Sequence, residues 1–136
     1  MALIQWNDEL RLGIAQIDRE HEALVLLVNE LGDAMLLGKG RDIVADTLRK
    51  LADYADYHFR SEETLFDEHG FEGSVSHKSE HQRFVNKLNT FNATFAAGKT
   101  TLISVDVLSF LSDWVRDHIM ISDRKYADDL RGRGVR

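Results

Sequence analysis

The sequence predicts an all-α protein, an up-down-up-down antiparallel four-helix bundle preceded by an N-terminal arm. Three observations predict this class. Four stretches carry apolar residues at the 3–4 spacing of an amphipathic helix, the 136-residue chain has no proline, and the links between the stretches are short. Helices of similar length joined by short links pack as antiparallel neighbours. A chain of this length is expected to form one domain, residues 1–136.

The elements follow in order along the chain. Residues 1–12 lack a sustained apolar stripe and are expected to form an arm laid over the bundle, with Trp6 as its anchor. The helices are expected from Ile14 or Asp18 to Leu37, from Arg41 to Glu68, from Ser74 or Ser76 to about Ala97, and from a Ser104 cap to about Tyr126. Residues 131–136 alternate arginine with other residues and are expected to be a flexible tail.

Composition and charge exclude several classes of protein. The net charge of -6 argues against a nucleic-acid partner, because phosphate binding needs clustered lysine and arginine. The absence of cysteine excludes disulfides, thiolate zinc sites, iron–sulfur clusters and covalently attached c-type haem. No secretory signal is recognisable, and no apolar run approaches the roughly 20 residues that span a bilayer. We therefore expect a cytoplasmic protein without a membrane partner.

Seven titratable side chains interrupt the apolar stripes. They form a lone histidine and the motifs H-x-x-x-E, H-x-x-x-H and H-x-x-x-x-D, and they are His21, His58, Glu62, His77, His81, His118 and Asp123. Residues at i and i+4 lie on one helical face about one turn apart. Burying imidazoles and carboxylates is costly unless they are paired or bind a metal. One buried histidine would suggest a structural role, but five histidines and a glutamate facing one core predict a metal site.

The size of this set indicates two ions. Five nitrogen ligands and two carboxylates exceed the four ligands of a tetrahedral zinc site. Two ions that share bridging carboxylates would accommodate all seven. Imidazole and carboxylate ligands without sulfur suit iron or manganese, and affinity alone leaves copper and zinc open.

Two histidine-containing segments need separate interpretation. His118 and Asp123 are five residues apart, which is about 140° around an ideal helix. Both can face the core only if the helix widens into a π-bulge between Ile119 and Asp123. The alternative is that Asp123 is a surface acid beside the two basic residues that follow it. His69 lies about 10 Å along the helix from Glu62, so it is interpreted as a C-terminal cap outside the site.

The pattern closely resembles the hemerythrin family, and its single-domain bacteriohemerythrins in particular. The resemblance runs from Trp6 to Tyr126 and is carried by Gly13-Ile14 and Ile17-Asp18 ahead of His21, by His58-Phe59-Arg60-Ser61-Glu62-Glu63, by His77-Lys78-Ser79-Glu80-His81, and by Trp114-Val115-Arg116-Asp117-His118-Ile119 with Asp123. All seven ligand positions carry the expected residue types. Two positions depart from the family: Phe66 stands where relatives commonly have methionine, and Phe71-Glu72 where they have a Tyr-Pro pair. These departures concern the connection between the second and third helices.

The resemblance implies a non-haem di-iron centre with an oxo or hydroxo bridge. By it, His77, His81 and His118 would hold one iron, His21 and His58 the other, and Glu62 and Asp123 would bridge both. The second iron would keep an open position where the reduced centre binds dioxygen reversibly. The resemblance therefore implies a dioxygen-binding protein for storage, delivery or sensing, and not an enzyme.

Four apolar residues close to the ligands in sequence are expected to form an oxygen pocket. They are Leu24, Phe59, Trp114 and Ile119, which lie one to four positions from a ligand histidine. Apolar walls would exclude the water and protons that drive off reduced oxygen and oxidise the iron. Ordinary core packing is the alternative explanation, and these residues can serve both purposes.

Other readings of function compete with dioxygen binding. A ferritin-like di-iron oxidase or peroxidase uses a carboxylate-rich set with Glu-x-x-His pairs, whereas this chain has i, i+4 pairs and only two carboxylates. An oxygen- or redox-sensing domain cut from a larger protein would have a signalling output module as its partner. A metal-free interaction bundle leaves the buried histidines unexplained.

Overall fold

Residues 3–97 and 105–136 are described by the structure, a computed structural model, and they fold as helices packed side by side. The helices are α1 (Ala15–Leu36), α2 (Arg41–His69), α3 (Ser74–Ala96), α4 (Val105–Asp117) and α5 (Arg124–Gly132). A π-helical segment, His118–Asp123, joins α4 to α5 through helical backbone, so the three form one continuous rod. α1 packs on α2, α2 on α3, and α4 on α1. The predicted all-α four-helix bundle is confirmed.

Each helix turns one apolar face inward, and these faces meet in a single core. The buried residues include Ile17, Leu24, Val28 and Leu31 of α1, Leu48, Leu51 and Ala55 of α2, Phe84 and Leu88 of α3, and Leu111, Tyr126 and Leu130 of the rod. The outer faces carry the charged residues. Among residues 3–97 and 105–136, none of the helices has the combination of length and apolar composition that spanning a bilayer requires.

The helix ends lie close to the predicted positions. Gly70 ends α2 in the left-handed conformation with φ of 65°, which glycine adopts without steric cost. The amide of Phe71 then donates to the carbonyl of Phe66 at 3.1 Å, and the chain reverses into α3. α2 ends one residue after the predicted Glu68. The expected glycine stop at position 98 and the Ser104 cap lie outside the described residues.

The N-terminal arm is held on the outside of α1 by both hydrogen bonds and apolar contacts. The amides of Leu3 and Ile4 donate to Oδ1 of Asn29 at 2.9 and 3.0 Å, and the Asn29 amide donates back to the Ile4 carbonyl. Ile4 is buried, as are Leu10 and Leu12. Trp6 is half-buried and packs against the core. Anchoring of the arm is therefore shared among these residues and does not depend on Trp6 alone.

The rod continues past the predicted end near Tyr126 and reaches Gly132. Beyond it, Arg133 donates to the carbonyl of His69, and Val135 packs against the core. These contacts tie the C-terminus to the end of α2. The flexibility expected for residues 131–136 stays a prediction.

Candidate metal centre

All seven residues predicted as ligands converge in the middle of the bundle. Their ligand atoms form two groups, within each of which all atoms lie within 4.8 Å of one another. One group is His77, His81, His118 and Asp123, and the other is His21, His58, Glu62 and Asp123. Every member is buried, with exposures of 0–6%. His69 belongs to neither group, in agreement with its interpretation as a residue outside the site.

Helical periodicity explains how two of the helices supply their ligands. His58 and Glu62 are separated by four residues in α2, and His77 and His81 by four in α3, so each pair lies on the inward face of its helix. α1 contributes His21 from its own buried face.

The π segment explains how the rod supplies both His118 and Asp123. All six residues from His118 to Asp123 are π-helical, which turns both ends of the segment inward. Asp123 is 1% exposed, so the alternative reading of Asp123 as a surface acid is wrong. The wider turn also moves Ile121 out of the core, where regular 3–4 spacing from His118 would have placed it, and leaves it 59% exposed.

The segment reconciles two apolar stripes that are offset along the rod. Before it, Leu111 and His118 face inward, and after it Tyr126, Ala127 and Leu130 do. An uninterrupted α-helix from His118 would instead turn charged residues such as Lys125 and Asp129 toward the core. This offset between the two stripes is visible in the sequence, and it is a second indication of the widened turn.

The two buried carboxylates lie between the histidines of the two groups. The distances from histidine Nε2 to Asp123 oxygens are 2.8 Å for His77, 3.0 Å for His21 and 3.2 Å for His118. The corresponding distances to Glu62 oxygens are 3.2 Å for His58, 3.3 Å for His81 and 3.6 Å for His21. Asp123 and Glu62 therefore each face histidines of both groups. A carboxylate placed in this way can contact both groups at once.

Several buried side-chain atoms of these residues have no hydrogen-bond partner among the described residues. They are Nδ1 and Nε2 of His21, Nε2 of His58 and of His81, Oε1 of Glu62 and Oδ1 of Asp123. Buried polar atoms are nearly always satisfied, so a cluster of unpaired donor atoms calls for a ligand. Because these atoms are imidazole nitrogens and carboxylate oxygens, the donor set fits metal cations.

Three further carboxylates stand behind the histidines, and reasoning from the sequence missed them. Glu20 lies 2.7 Å from Nδ1 of His58, Glu63 lies 2.9 Å from Nδ1 of His81, and Glu80 lies 3.6 Å from Nδ1 of His118. In each case the carboxylate comes from the helix that precedes the histidine in the chain. Such partners orient a ligating imidazole and raise its basicity. One feature of the sequence could have identified these acids, because each of them is the immediate neighbour of a predicted ligand.

The electrostatics of the centre follow from this packing of acids against histidines. Burial alone would lower the pKa of His58, but the charge of Glu62 and the hydrogen bond to Glu20 raise it to about 10. Burial likewise opposes ionisation of Glu62, yet the charge of His58 and the close approach of His21 and His81 hold its pKa well below the usual range. The pKa of Asp123 is also lowered, by His118 and His21 against burial and the charge of Glu62. Both carboxylates are therefore ionised.

Tyr126 adds a hydrogen bond to the centre. Its phenol donates to Oε2 of Glu62. Burial and the neighbouring charges of Glu62 and Asp123 raise the pKa of Tyr126, so it stays protonated and acts as a donor. The contact fixes the orientation of one of the two central carboxylates.

Aromatic rings enclose the histidines on the side of α3 and α4. Phe59 stacks on His81 with ring centroids 3.9 Å apart, and Trp114 stacks on His118 at 4.3 Å. Leu24, Phe59 and Ile119, three of the four predicted pocket residues, are buried, and Trp114 is half-buried. Phe66, at the position where the sequence departs from the resemblance, packs edge-on against His77 at 4.9 Å. The ligands are thus surrounded by apolar surface.

Comparison with known proteins agrees with this geometry. Residues 12–130 match the family model described as the Hemerythrin HHE cation binding domain. The chain is 34% identical over 131 residues to a bacteriohemerythrin of Pseudomonas aeruginosa (strain LESB58), covering 96% of this chain and 84% of that protein. It is 32% identical over 127 residues to a bacteriohemerythrin of Clostridium acetobutylicum, covering 90% and 98%.

A solved structure shows the same fold. The crystal structure of a wild-type hemerythrin superimposes with a TM-score of 0.87 at 30% identity, covering 93% of this chain and 97% of that one. The family match covers most of the chain, and the relatives match nearly their whole length. The chain belongs to the hemerythrin family.

Proposed function

We propose that this protein binds dioxygen reversibly at a pair of non-haem iron ions. The observation that carries the proposal is the uneven division of five buried imidazoles between two groups that share Asp123. One group contains three histidines and the other contains two. If Glu62 and Asp123 each bridge the two ions, an ion in the second group would have one protein ligand fewer, which leaves a position for a small exogenous molecule.

The proposed ligands follow from the distances at the centre. His77, His81 and His118 would hold one ion, and His21 and His58 the other. Glu62 and Asp123 face histidines of both groups, which supports a bridging role for each. Ferrous iron held by these residues would supply the electrons that dioxygen takes up on binding and returns on release.

The surrounding side chains support binding over oxidation of a substrate. Apolar residues line the centre and keep water from the ligands. We propose Leu24, Phe59, Trp114 and Ile119 as the wall of the dioxygen pocket. Tyr126 and the outer carboxylates hold the ligands in place, so that little in the site has to move as dioxygen enters and leaves.

We also propose that the protein is cytoplasmic, because cellular reductants there keep iron in the ferrous state that dioxygen binding requires. Storage and delivery of dioxygen need only this domain. Sensing would require a signalling output module that responds to it.

The experiment is a reversible oxygenation assay. Protein loaded with ferrous iron without air should develop a visible charge-transfer band when dioxygen is added, with one dioxygen taken up per chain. The band should disappear under argon and return with dioxygen over repeated cycles. Irreversible bleaching in the first cycle, or dioxygen consumption beyond one per chain, would show oxidation chemistry instead.

A further inference from the structure

We propose that Gln16 and Ser61 are positioning residues for His58, and that they act through the buried carboxylate of Glu20. The inference rests on the proposed function only in taking His58 as a metal ligand. Neither Gln16 nor Ser61 belongs to the ligand set or to the apolar wall. Their role would be to fix the direction in which the His58 imidazole presents Nε2 to the centre.

Glu20 is a buried charge outside the central cluster, with an exposure of 5%. Its two oxygens have separate partners. Oε1 lies 2.7 Å from Nδ1 of His58, whereas Oε2 accepts hydrogen bonds from Ser61 Oγ and from Gln16 Nε2, each at 3.0 Å. Three partners satisfy a group whose burial would otherwise be costly.

The two outer donors also bond to each other. Gln16 Nε2 donates to Ser61 Oγ at 2.9 Å, which closes a ring of hydrogen bonds with Oε2 of Glu20. Gln16 stands one turn before Glu20 in α1, and Ser61 comes from α2. The carboxylate is therefore clamped by both helices, and its free rotation is lost.

The clamped carboxylate selects one tautomer of His58. An ionised carboxylate accepts hydrogen bonds and donates none, so Nδ1 of His58 carries the proton. Once a metal ion displaces the proton on Nε2, the lone pair of Nε2 would point at the centre, where Nε2 lies 3.2 Å from Oε1 of Glu62. Losing an outer donor would loosen Glu20 and with it the orientation of the imidazole.

The network reaches the protein surface. Gln16 and Ser61 lie in a groove of about 460 Å³ that is also lined by Tyr57, Arg60 and Thr64. Gln16 is exposed and Ser61 is half-buried. Substitutions at these two positions therefore remove hydrogen bonds without opening a cavity in the core, and the variants are expected to fold.

The test uses the full chain loaded with Zn²⁺ alone. Zinc is diamagnetic and redox-inert, so the imidazole N–H protons and ring nitrogens can be followed by NMR. In the wild type we expect a metal-bound Nε2 of His58 and a slowly exchanging Nδ1–H resonance far downfield. In Ser61→Ala and Gln16→Ala this resonance should move upfield and exchange faster with water, and zinc release to a chelator should accelerate roughly threefold to tenfold, as for the loss of one typical hydrogen bond.

Two further variants set the upper and lower limits of the expected change in zinc binding and release. Glu20→Gln should weaken zinc binding about tenfold to a hundredfold, the usual cost of losing the partner of a ligating histidine. Ser61→Thr keeps the hydroxyl and should restore the wild-type resonance and release rate. Ser79→Ala and Glu22→Gln serve as controls, because both residues are exposed and lie within two positions of a proposed ligand.

The outcomes separate the two proposals. If Ser61→Ala and Gln16→Ala match the controls in the His58 resonance and in zinc release, the positioning role is refuted while the ligand set stands. A lower melting temperature with an unchanged resonance would likewise refute it, since it indicates packing alone. If His58 of the wild type shows no zinc-bound Nε2, the proposed function fails together with this inference.

Discussion

Ile119 is buried beside His118 within the π segment, at 1% exposure. We predict that Ile119→Glu abolishes or strongly weakens dioxygen binding while both irons remain bound, because none of the seven proposed ligands changes. A glutamate there would bring an oxygen ligand within reach of the open position. The measurement is the oxygenation spectrum beside an iron assay, with Ile119→Leu as the matched apolar control. Normal oxygen affinity in the glutamate variant would mean that the open position faces elsewhere.

Glu62 faces three histidines and is fully buried. Glu62→Ala is predicted to remove metal binding and to destabilise the metal-free fold by about 3–5 kcal/mol, because its partners would stay buried and uncompensated. Metal analysis and urea unfolding measure the two effects. His69→Ala, outside both ligand groups, is the control and should keep full metal content. Iron loss in the His69 variant would contradict the ligand assignment.

The sequence was sufficient to predict the residues of the inner cluster but not those behind it. His21, His58 and Glu62 stand in apolar stripes, where a polar residue is conspicuous. Glu20 and Glu63 each directly adjoin a predicted ligand, about 100° around the helix from it, on faces that are usually solvated. Only the packing of the neighbouring helix shows that these acids meet a histidine.

The π segment sets the register of the whole rod from Val105 to Gly132. We predict that Ile121→Ala changes the free energy of unfolding by less than about 0.5 kcal/mol, because this side chain is exposed. Ile119→Ala, the matched change at a buried position two residues earlier, should cost about 2–5 kcal/mol. Urea unfolding of both variants in the same metal state makes the comparison. Equal costs, or a larger cost at Ile121, would contradict the π register.

At the level of elements, the sequence predicted the widening and, to within one residue, its position. The five-residue spacing of His118 and Asp123 required one π turn, predicted between Ile119 and Asp123, and the structure has it from His118 to Asp123. Regular 3–4 spacing carried on from His118 would place Ile121 in the core, whereas the widened turn leaves it exposed. The end of the rod was predicted too early, since Leu130 continues a stripe that restarts after Asp123.

For the molecule as a whole, the metal-free protein should show an unusual dependence of stability on pH. The pKa of His58 rises from 6.5 in the unfolded chain to about 10 in the folded protein. A raised folded pKa stabilises the fold fully below the unfolded value, and this contribution is lost as pH rises through the folded value. Glu62 and Asp123 have lowered pKa values, so they stabilise the fold above 4.5 and 3.8 and lose this contribution as pH falls.

These opposite trends predict maximal stability of the metal-free protein between roughly pH 4.5 and 6.5, the reference values of the two kinds of group. Melting temperature measured across pH 4–10 with a chelator present tests this, and Glu22→Gln controls for the change in net charge. Stability should decline steadily from pH 6.5 to about 10, the folded pKa of His58. A melting temperature that rises over that interval would mean that His58 is buried in its neutral form.

Seven residues from four helical elements are proposed to hold two iron ions in the core. Anomalous diffraction at the iron absorption edge, from crystals of the iron-loaded protein, locates these ions directly. Two anomalous peaks per chain are expected, one among His77, His81 and His118 and the other beside His21 and His58, with Glu62 and Asp123 contacting both. A single peak, or peaks away from these residues, would contradict the proposal.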